Sequence, residues 1–134
     1  MTRKERTLVL FLRFNAVVLL TALVPAVMPL GWMAAIHRAL GLGELPEGLI
    51  VSYLTRSLSA MYAMHGALVY FVSLDVRRYL PVARCLAWLD VVFGGSMLLL
   101  DASVGMPILW TVCEGPVVSA IGVTILALAR RLDA

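Results

Sequence analysis

Four long apolar runs, separated by short polar segments, dominate the chain and cover residues 7–29, 49–74, 81–100 and 107–128. A helix that crosses a membrane needs about 20 predominantly apolar residues. The 23 residues of the first run would reach roughly 34 Å at about 1.5 Å each. The pattern therefore predicts an all-α fold, a four-helix transmembrane bundle, in which residues 1–134 form a single integral membrane domain.

A shorter amphipathic stretch lies between the first and second runs. Met33, Ile36 and Leu40 recur at helical spacing, with polar side chains on the other face. This pattern predicts a short interfacial helix between spans 1 and 2. Gly41 and Gly43 predict its end and a turn after it.

Basic residues are distributed unevenly among the segments that flank the runs. From the N-terminal flank to the C-terminal flank, Lys and Arg number 3, 1, 3, 0 and 2, where the third count includes Arg84 in the first turn of the third run. The positive-inside rule gives this alternation for an even number of spans with both termini in the cytoplasm. The sequence therefore predicts a multi-pass protein of the bacterial inner membrane, with its apolar faces against the lipid bilayer.

Composition supports a membrane protein and disfavours several other classes. Hydrophobic residues make up 62% of the chain, against roughly 45–50% in soluble domains, and the mean hydropathy is +0.96. The net charge of +3 arises at the ends of the apolar runs rather than from a basic stripe with interleaved aromatic residues, so no nucleic-acid partner is expected. Cys85 and Cys113 lie in different runs without CxxC spacing, which predicts neither a thiol redox motif nor a zinc site.

Two residues of opposite charge lie at matching depths in different runs. Arg56 and Glu114 each lie seven residues from the outer start of their run, which is about 10 Å at about 1.5 Å per residue. Charges in the hydrocarbon layer are costly and usually turn inward to partners. Because a guanidinium group binds a carboxylate through two parallel hydrogen bonds, we predict an Arg56–Glu114 ion pair. Asp101 and Ser59 would complete this polar cluster of the outer leaflet.

Pro116 supports a polar site beside Glu114. Proline has no backbone N–H, so the carbonyl group of Val112, four residues earlier, loses its usual helical donor. That carbonyl is an available acceptor. Two interpretations stay open: the pair locks helices two and four together, or it forms a site for a ligand, an ion or a proton.

A second group of polar residues lies nearer the cytoplasmic side. His65 is nine residues from the inner end of the second run and Asp90 nine from the inner start of the third, so both lie roughly 13–14 Å deep. We predict a hydrogen bond between them, with Asn15 and Arg13 of the first run close by. A tie between helices and a proton carrier are both compatible with this inner cluster.

No cofactor and no metal ion are predicted. Haem ligation by two histidines would need His37 and His65, which are assigned to opposite halves of the membrane. Phosphate-binding glycine loops, HExxH and Ser-His-Asp spacings are absent from the sequence. An enzymatic activity is therefore not expected, although the sequence leaves it open.

Three segments, RSLSAMYAMHG, SLDVRRYLP and GMPILWTVCEGP, resemble parts of small uncharacterised bacterial four-helix membrane proteins that are classed as domains of unknown function. The resemblance covers most of the chain from about Trp32 to Leu128. It implies a four-helix fold, and it implies no activity and no role for any residue.

The sequence does not name a function, and three classes stay open. We expect a non-enzymatic accessory subunit or small binding module, with a second copy or another membrane protein as its partner. One alternative is a small oligomeric transporter or permeation protein that uses Arg56 and Glu114 within the membrane. The other is a membrane enzyme that acts on a lipid or a quinone.

Overall fold

A computed structural model describes residues 1–132 of the chain. Its seven helices are α1 (Arg3–Leu20), α2 (Leu23–Val27), α3 (Leu30–Ala39), α4 (Leu49–Leu74), α5 (Leu80–Val104), α6 (Ile108–Cys113) and α7 (Gly115–Arg130). Four segments built from them are long and apolar enough to cross a membrane: Arg3–Val27, Leu49–Leu74, Leu80–Val104 and Ile108–Arg130. With α3 between the first two, the predicted all-α fold with four spans is confirmed, and the chain is a multi-pass membrane protein.

The helices group into two compact units. The first unit contains Met1–Asn15 and the chain from Val69 onwards, and the second contains Ala16–Leu68. The largest fully buried side chains of the first unit include Leu8 and Ile125. In the second unit, the buried apolar side chains are those of Ala16, Met28, Met33 and Ala63.

The first span is interrupted at Thr21, because a proline follows four residues later. Pro25 has no N–H to donate to the Thr21 carbonyl oxygen, which instead accepts the N–H of Val24 at 3.0 Å. The chain resumes as α2 and ends at Val27. The apolar run over 7–29 therefore contains two helices, which together form one candidate span, Arg3–Val27.

Two helix ends follow from glycine conformation. Gly41 after α3 has φ of +75°, which confirms the predicted stop. The third span continues beyond its predicted end at residue 100, as far as Val104. Gly105 then ends it with φ of +74° and donates its N–H to the carbonyl oxygen of Asp101. Asp101 consequently lies inside the last turn of α5.

Helices α5 and α7 run antiparallel at very close range within the first unit. The buried residues of α5 are Ala83, Ala87, Gly94 and Asp101, and those of α7 are Gly115, Gly122, Ile125 and Ala129. A Cβ added to Gly122 would lie 3.0 Å from the backbone nitrogen of Val91. Small residues on both helices thus let the two backbones touch.

Candidate functional site

Arg56 of α4 binds the end of α2 in the second unit. Its Nη1 donates to the carbonyl oxygen of Ala26 at 2.8 Å, and its Nη2 donates to that of Met28 at 3.0 Å. The last carbonyl groups of any helix lack intrahelical donors. Here the backbone becomes extended at Met28, with ψ of 153°. The next residue, Pro29, precedes α3 and has no N–H to donate. Arg56 therefore satisfies the two carbonyls and places a positive charge at the negative end of a helix.

The other residues of the predicted outer cluster are divided between the two units. Ser59 lies on α4 in the second unit and is partly buried, three residues after Arg56. Glu114 and Asp101 belong to the first unit. Since a guanidinium group has five N–H donors, the two bonds to carbonyl oxygens leave others available. The Arg56–Glu114 ion pair stays a prediction.

Glu114 lies at a break in the fourth span, between α6 and α7. Its backbone has φ of −88° and ψ of −81°, outside helical values. The break follows from the next two residues, because Gly115 is flexible and Pro116 suits the first turn of a new helix. Glu114 closes α6 by donating its N–H to the carbonyl oxygen of Trp110 at 2.9 Å.

Two neighbours of the Glu114 carboxyl group belong to the same unit. Trp110 lies one helical turn before Glu114 and accepts its backbone N–H, and Asp101 lies in the last turn of α5. Two members of the predicted outer cluster, Asp101 and Glu114, thus belong to the same unit.

Asp101 is the more deeply buried of the two carboxyl groups, with 6% of the residue exposed. Its Oδ2 atom is fully buried and has no hydrogen-bond partner among residues 1–132. Its backbone carbonyl, by contrast, accepts the N–H groups of Gly105 and Met106. The buried, unpartnered carboxylate oxygen was not predicted from the sequence, which placed Asp101 only near the end of a run.

Close glycine packing fixes the position of Glu114 against α5. A Cβ built on Gly115 would lie 2.5 Å from the carbonyl oxygen of Gly94 and 2.7 Å from the backbone nitrogen of Leu98. Asp101 follows Leu98 by three residues on the same helix, so the two carboxyl groups are held at the same end of the α5–α7 pair. Thr111, the buried residue of α6, lies three positions before Glu114.

The four residues of the predicted inner cluster also divide between the units. His65 lies in the second unit, and Asp90, Asn15 and Arg13 lie in the first. Asn15 is buried, whereas His65 and Asp90 are partly buried. The predicted hydrogen bond between His65 and Asp90 is not tested by the arrangement within either unit and stays a prediction.

Arg13 has a partner that the sequence reasoning did not propose. Its Nε donates to the hydroxyl oxygen of Ser73 at 3.4 Å, and that hydroxyl donates to the carbonyl oxygen of Tyr70 at 2.6 Å. Ser73 is itself buried. This contact ties the first span to the far end of α4 within the first unit.

A polar cluster at the start of α1 was also missed. The Thr2 N–H donates to the Glu5 carboxylate at 2.7 Å, and the Glu5 N–H donates to the Thr2 hydroxyl at 3.2 Å. This reciprocal pair is a capping box, and the TRKE sequence at residues 2–5 carries its signature. Glu5 also binds the guanidinium group of Arg77, which lies between α4 and α5.

The polar groups of the described chain include carboxyl groups, arginines and two thiols. Within residues 1–132, no three side chains of His, Cys, Asp or Glu converge as a protein metal site would require. Cys85 and Cys113 are both exposed free thiols. The spans contain buried carboxyl groups, those of Glu5 and Asp101, and arginines that bind backbone carbonyls.

Comparison with known proteins adds no functional information. No family model matches the chain, and no curated protein and no solved structure is significantly similar to it. The roles of Arg56, Asp101 and Glu114 therefore have to be argued from their geometry.

Proposed function

We propose that the chain is a multi-pass protein of the bacterial inner membrane that works without catalysis, as an accessory subunit or a small binding module. The observation that carries this proposal is the placement of Arg56, whose guanidinium group is occupied by the backbone carbonyls of Ala26 and Met28. Charged groups inside membrane proteins often mark a functional site, but they also pair with backbone carbonyls. A guanidinium group that closes a helix end supports a structural role.

The short connections after the second and third spans also support a role within the membrane. Residues 75–79 join α4 to α5, and residues 105–107 join α5 to α6. Segments of this length cannot form a separate domain that would bind a soluble substrate. Among the described residues, the spans and the α3 segment therefore provide the surfaces for function, which suits association with lipid or with another membrane protein.

Contacts within the first unit support termini on one side of the membrane. Glu5 near the N-terminus binds Arg77 in the α4–α5 connection. Arg84, near the start of α5, donates to the carbonyl oxygen of Ala129 near the end of α7 at 3.4 Å. These contacts support an even number of crossings, and the basic flanks support assignment of that side to the cytoplasm.

Cysteine labelling tests this orientation. Both native thiols are first removed, as Cys85→Ser and Cys113→Ser, because both are exposed. We expect a membrane-impermeant maleimide to label Gly43→Cys in intact cells and to label Asp75→Cys only after the cells are permeabilised. The reverse pattern, or equal labelling of both, would overturn the proposed topology.

Native mass spectrometry tests the accessory role. The protein is taken from its own membrane in mild detergent, and the masses of the released complexes are measured. We expect a second membrane protein at fixed stoichiometry, and the same preparation from a strain that lacks the chain supplies the control. A homo-oligomer without other components would count against the accessory role and favour permeation.

Each alternative class has an outcome of its own. For a transporter, proteoliposomes would show pH-coupled flux that Glu114→Gln abolishes while the protein stays folded. For a lipid- or quinone-linked enzyme, a tightly bound lipid or quinone would co-purify and would be lost when Trp110→Ala is introduced. Either result would replace the accessory role that we propose.

A further inference from the structure

Asp101 is a buried carboxyl group with fewer partners than its charge requires. Only 6% of the residue is exposed, and its Oδ2 atom has no hydrogen-bond partner in the described part of the chain. It also lies in the last turn of α5, where the helix carries partial negative charge at its C-terminus. Buried charges are ordinarily paired or coordinate a cation. Among the described residues of its own unit, however, Asp101 forms no ion pair with a basic side chain.

Glu114 adds a second carboxyl group to the same surroundings. The charge of Asp101 acts on it unfavourably. Within the first unit, neither carboxyl group forms an ion pair with a Lys or Arg side chain of the described residues. The close contact of Gly115 with Gly94 and Leu98 restrains the backbone beside Glu114. Two acidic groups are thus held near each other without a basic residue of their own unit.

Neutral oxygen atoms are available at the same end of the helix pair. Pro116 cannot donate an N–H, so the Val112 carbonyl lacks its helical partner. The antiparallel pairing of α5 with α7 places the end of α5 beside α6, and Thr111 is the buried residue of α6. In membrane proteins, interrupted helices with released carbonyl groups are a recurring arrangement for coordinating sodium ions.

We propose that Asp101 and Glu114 form a binding site for a small monovalent cation, of which Na⁺ is the representative. The available ligands are all oxygen atoms, which hard cations prefer. The site offers two acidic side chains, and no group of three His, Cys, Asp or Glu side chains converges among residues 1–132, which favours a singly charged ion over zinc or another transition metal. This cation site is a separate proposal from the accessory role. It does not depend on that role, because a bound ion can stabilise an accessory subunit and a transporter equally.

Unfolding temperature as a function of sodium concentration tests the site. Sodium chloride replaces choline chloride at constant ionic strength, so that screening is unchanged. We expect the midpoint of the purified protein to rise by roughly 2–8 °C at saturating sodium, because a ligand that binds only the folded state stabilises it. Equilibrium dialysis with radioactive sodium should give one bound ion per chain.

Asp101→Asn is the diagnostic variant. We expect it to lose the response to sodium and yet to be at least as stable as the parent protein in choline, because the neutral amide no longer repels Glu114. A purely structural aspartate would show the opposite, a loss of stability in choline. Glu47→Gln, which neutralises an exposed carboxyl group between α3 and α4, is the matched control and should keep the full response.

Three outcomes would overturn the proposal. These are no response of the parent protein to sodium, an equal response in Asp101→Asn, and stabilisation by lower pH alone with sodium inactive, which would assign the site to a proton. If Asp101→Asn does not fold, Glu114→Gln carries the same test, and retention of its full sodium response and one-ion stoichiometry would overturn the site. The accessory role would survive each of these results, because it is tested by the complexes found in mass spectrometry.

Discussion

Gly94 of α5 and Gly115 of α7 meet backbone to backbone. A Cβ added to Gly115 would lie 2.5 Å from the carbonyl oxygen of Gly94, and a Cβ added to Gly94 would clash in turn with the carbonyl oxygen of Gly115. No side chain fits between the helices at this point. Because lipid gives helices no hydrophobic drive to associate, close van der Waals contact of this kind is a main source of their attraction. The relative placement of Asp101 and Glu114 therefore depends on two residues without side chains.

Replacement of Gly115 by alanine should destabilise the protein. The new methyl group would meet the backbone of Gly94 and Leu98, neither of which can move aside cheaply, so we expect a loss of about 1–3 kcal/mol in the free energy of unfolding. Chemical unfolding in detergent, followed by circular dichroism, measures it.

Gly95 provides the matched control for that substitution. It belongs to the same helix as Gly94, but a Cβ added to it would find nothing within 4 Å. Gly95→Ala should therefore be neutral or stabilising, by up to about 1 kcal/mol, because alanine favours the helix. Equal losses for Gly115→Ala and Gly95→Ala would contradict the close contact of α5 and α7.

Arg56 should contribute strongly to stability through the end of α2. Arg56→Met removes both donors and leaves the carbonyl oxygens of Ala26 and Met28 without them, and we expect a loss of about 1.5–3 kcal/mol in the free energy of unfolding. Arg56→Lys keeps the charge but not the planar fork, so its loss should be intermediate. The same unfolding measurement applies.

Arg38 serves as the control arginine. Its Nη1 lies 3.3 Å from the Glu44 carboxylate, and both side chains are exposed. Removal of such a surface pair, as Arg38→Gln, should change the free energy of unfolding by only about 0–1 kcal/mol. If the losses for Arg56→Met and Arg38→Gln were alike, the binding of α2 by Arg56 would have no energetic importance.

The sequence predicted where the chain crosses the membrane more reliably than which polar groups meet. The second span was predicted at its observed bounds, Leu49–Leu74, because apolar length is a local property. The contacts made at the interrupted helix ends, by contrast, involve residues far apart in the sequence. The effect of Pro116 on the Val112 carbonyl was recognised, but the binding of the Ala26 and Met28 carbonyl oxygens by Arg56 was not predicted.

Depth alone did not reveal the backbone partners of Arg56. Residues at equal depth meet only if their helices are rotated toward each other, and apolar residues on all sides of a span leave that rotation undetermined. Asp101 illustrates the same limit. Its depth was predicted, but its burial depends on the αL conformation of Gly105 and on the contact of Gly94 with Gly115.

The capping box at the start of α1 predicts a local effect at the N-terminus. Thr2→Ala removes the hydroxyl group that accepts the Glu5 N–H, and we expect a loss of roughly 0.5–2 kcal/mol, together with faster hydrogen exchange at the first amides of α1. Thr2→Ser keeps the hydroxyl group and should behave like the parent protein. Exchange followed by mass spectrometry would detect the difference, and similar rates for Thr2→Ala and Thr2→Ser would contradict the cap.

The predicted Arg56–Glu114 ion pair is best tested by a double-mutant cycle. If the two groups interact, Arg56→Gln and Glu114→Gln should each destabilise the protein, and the loss in the double variant should differ from their sum by more than about 0.5 kcal/mol. The charge swap, Arg56→Glu with Glu114→Arg, should recover part of the loss. Additive effects would mean that Arg56 acts only through the carbonyl groups of α2, and that Glu114 has Asp101 as the charged neighbour that matters.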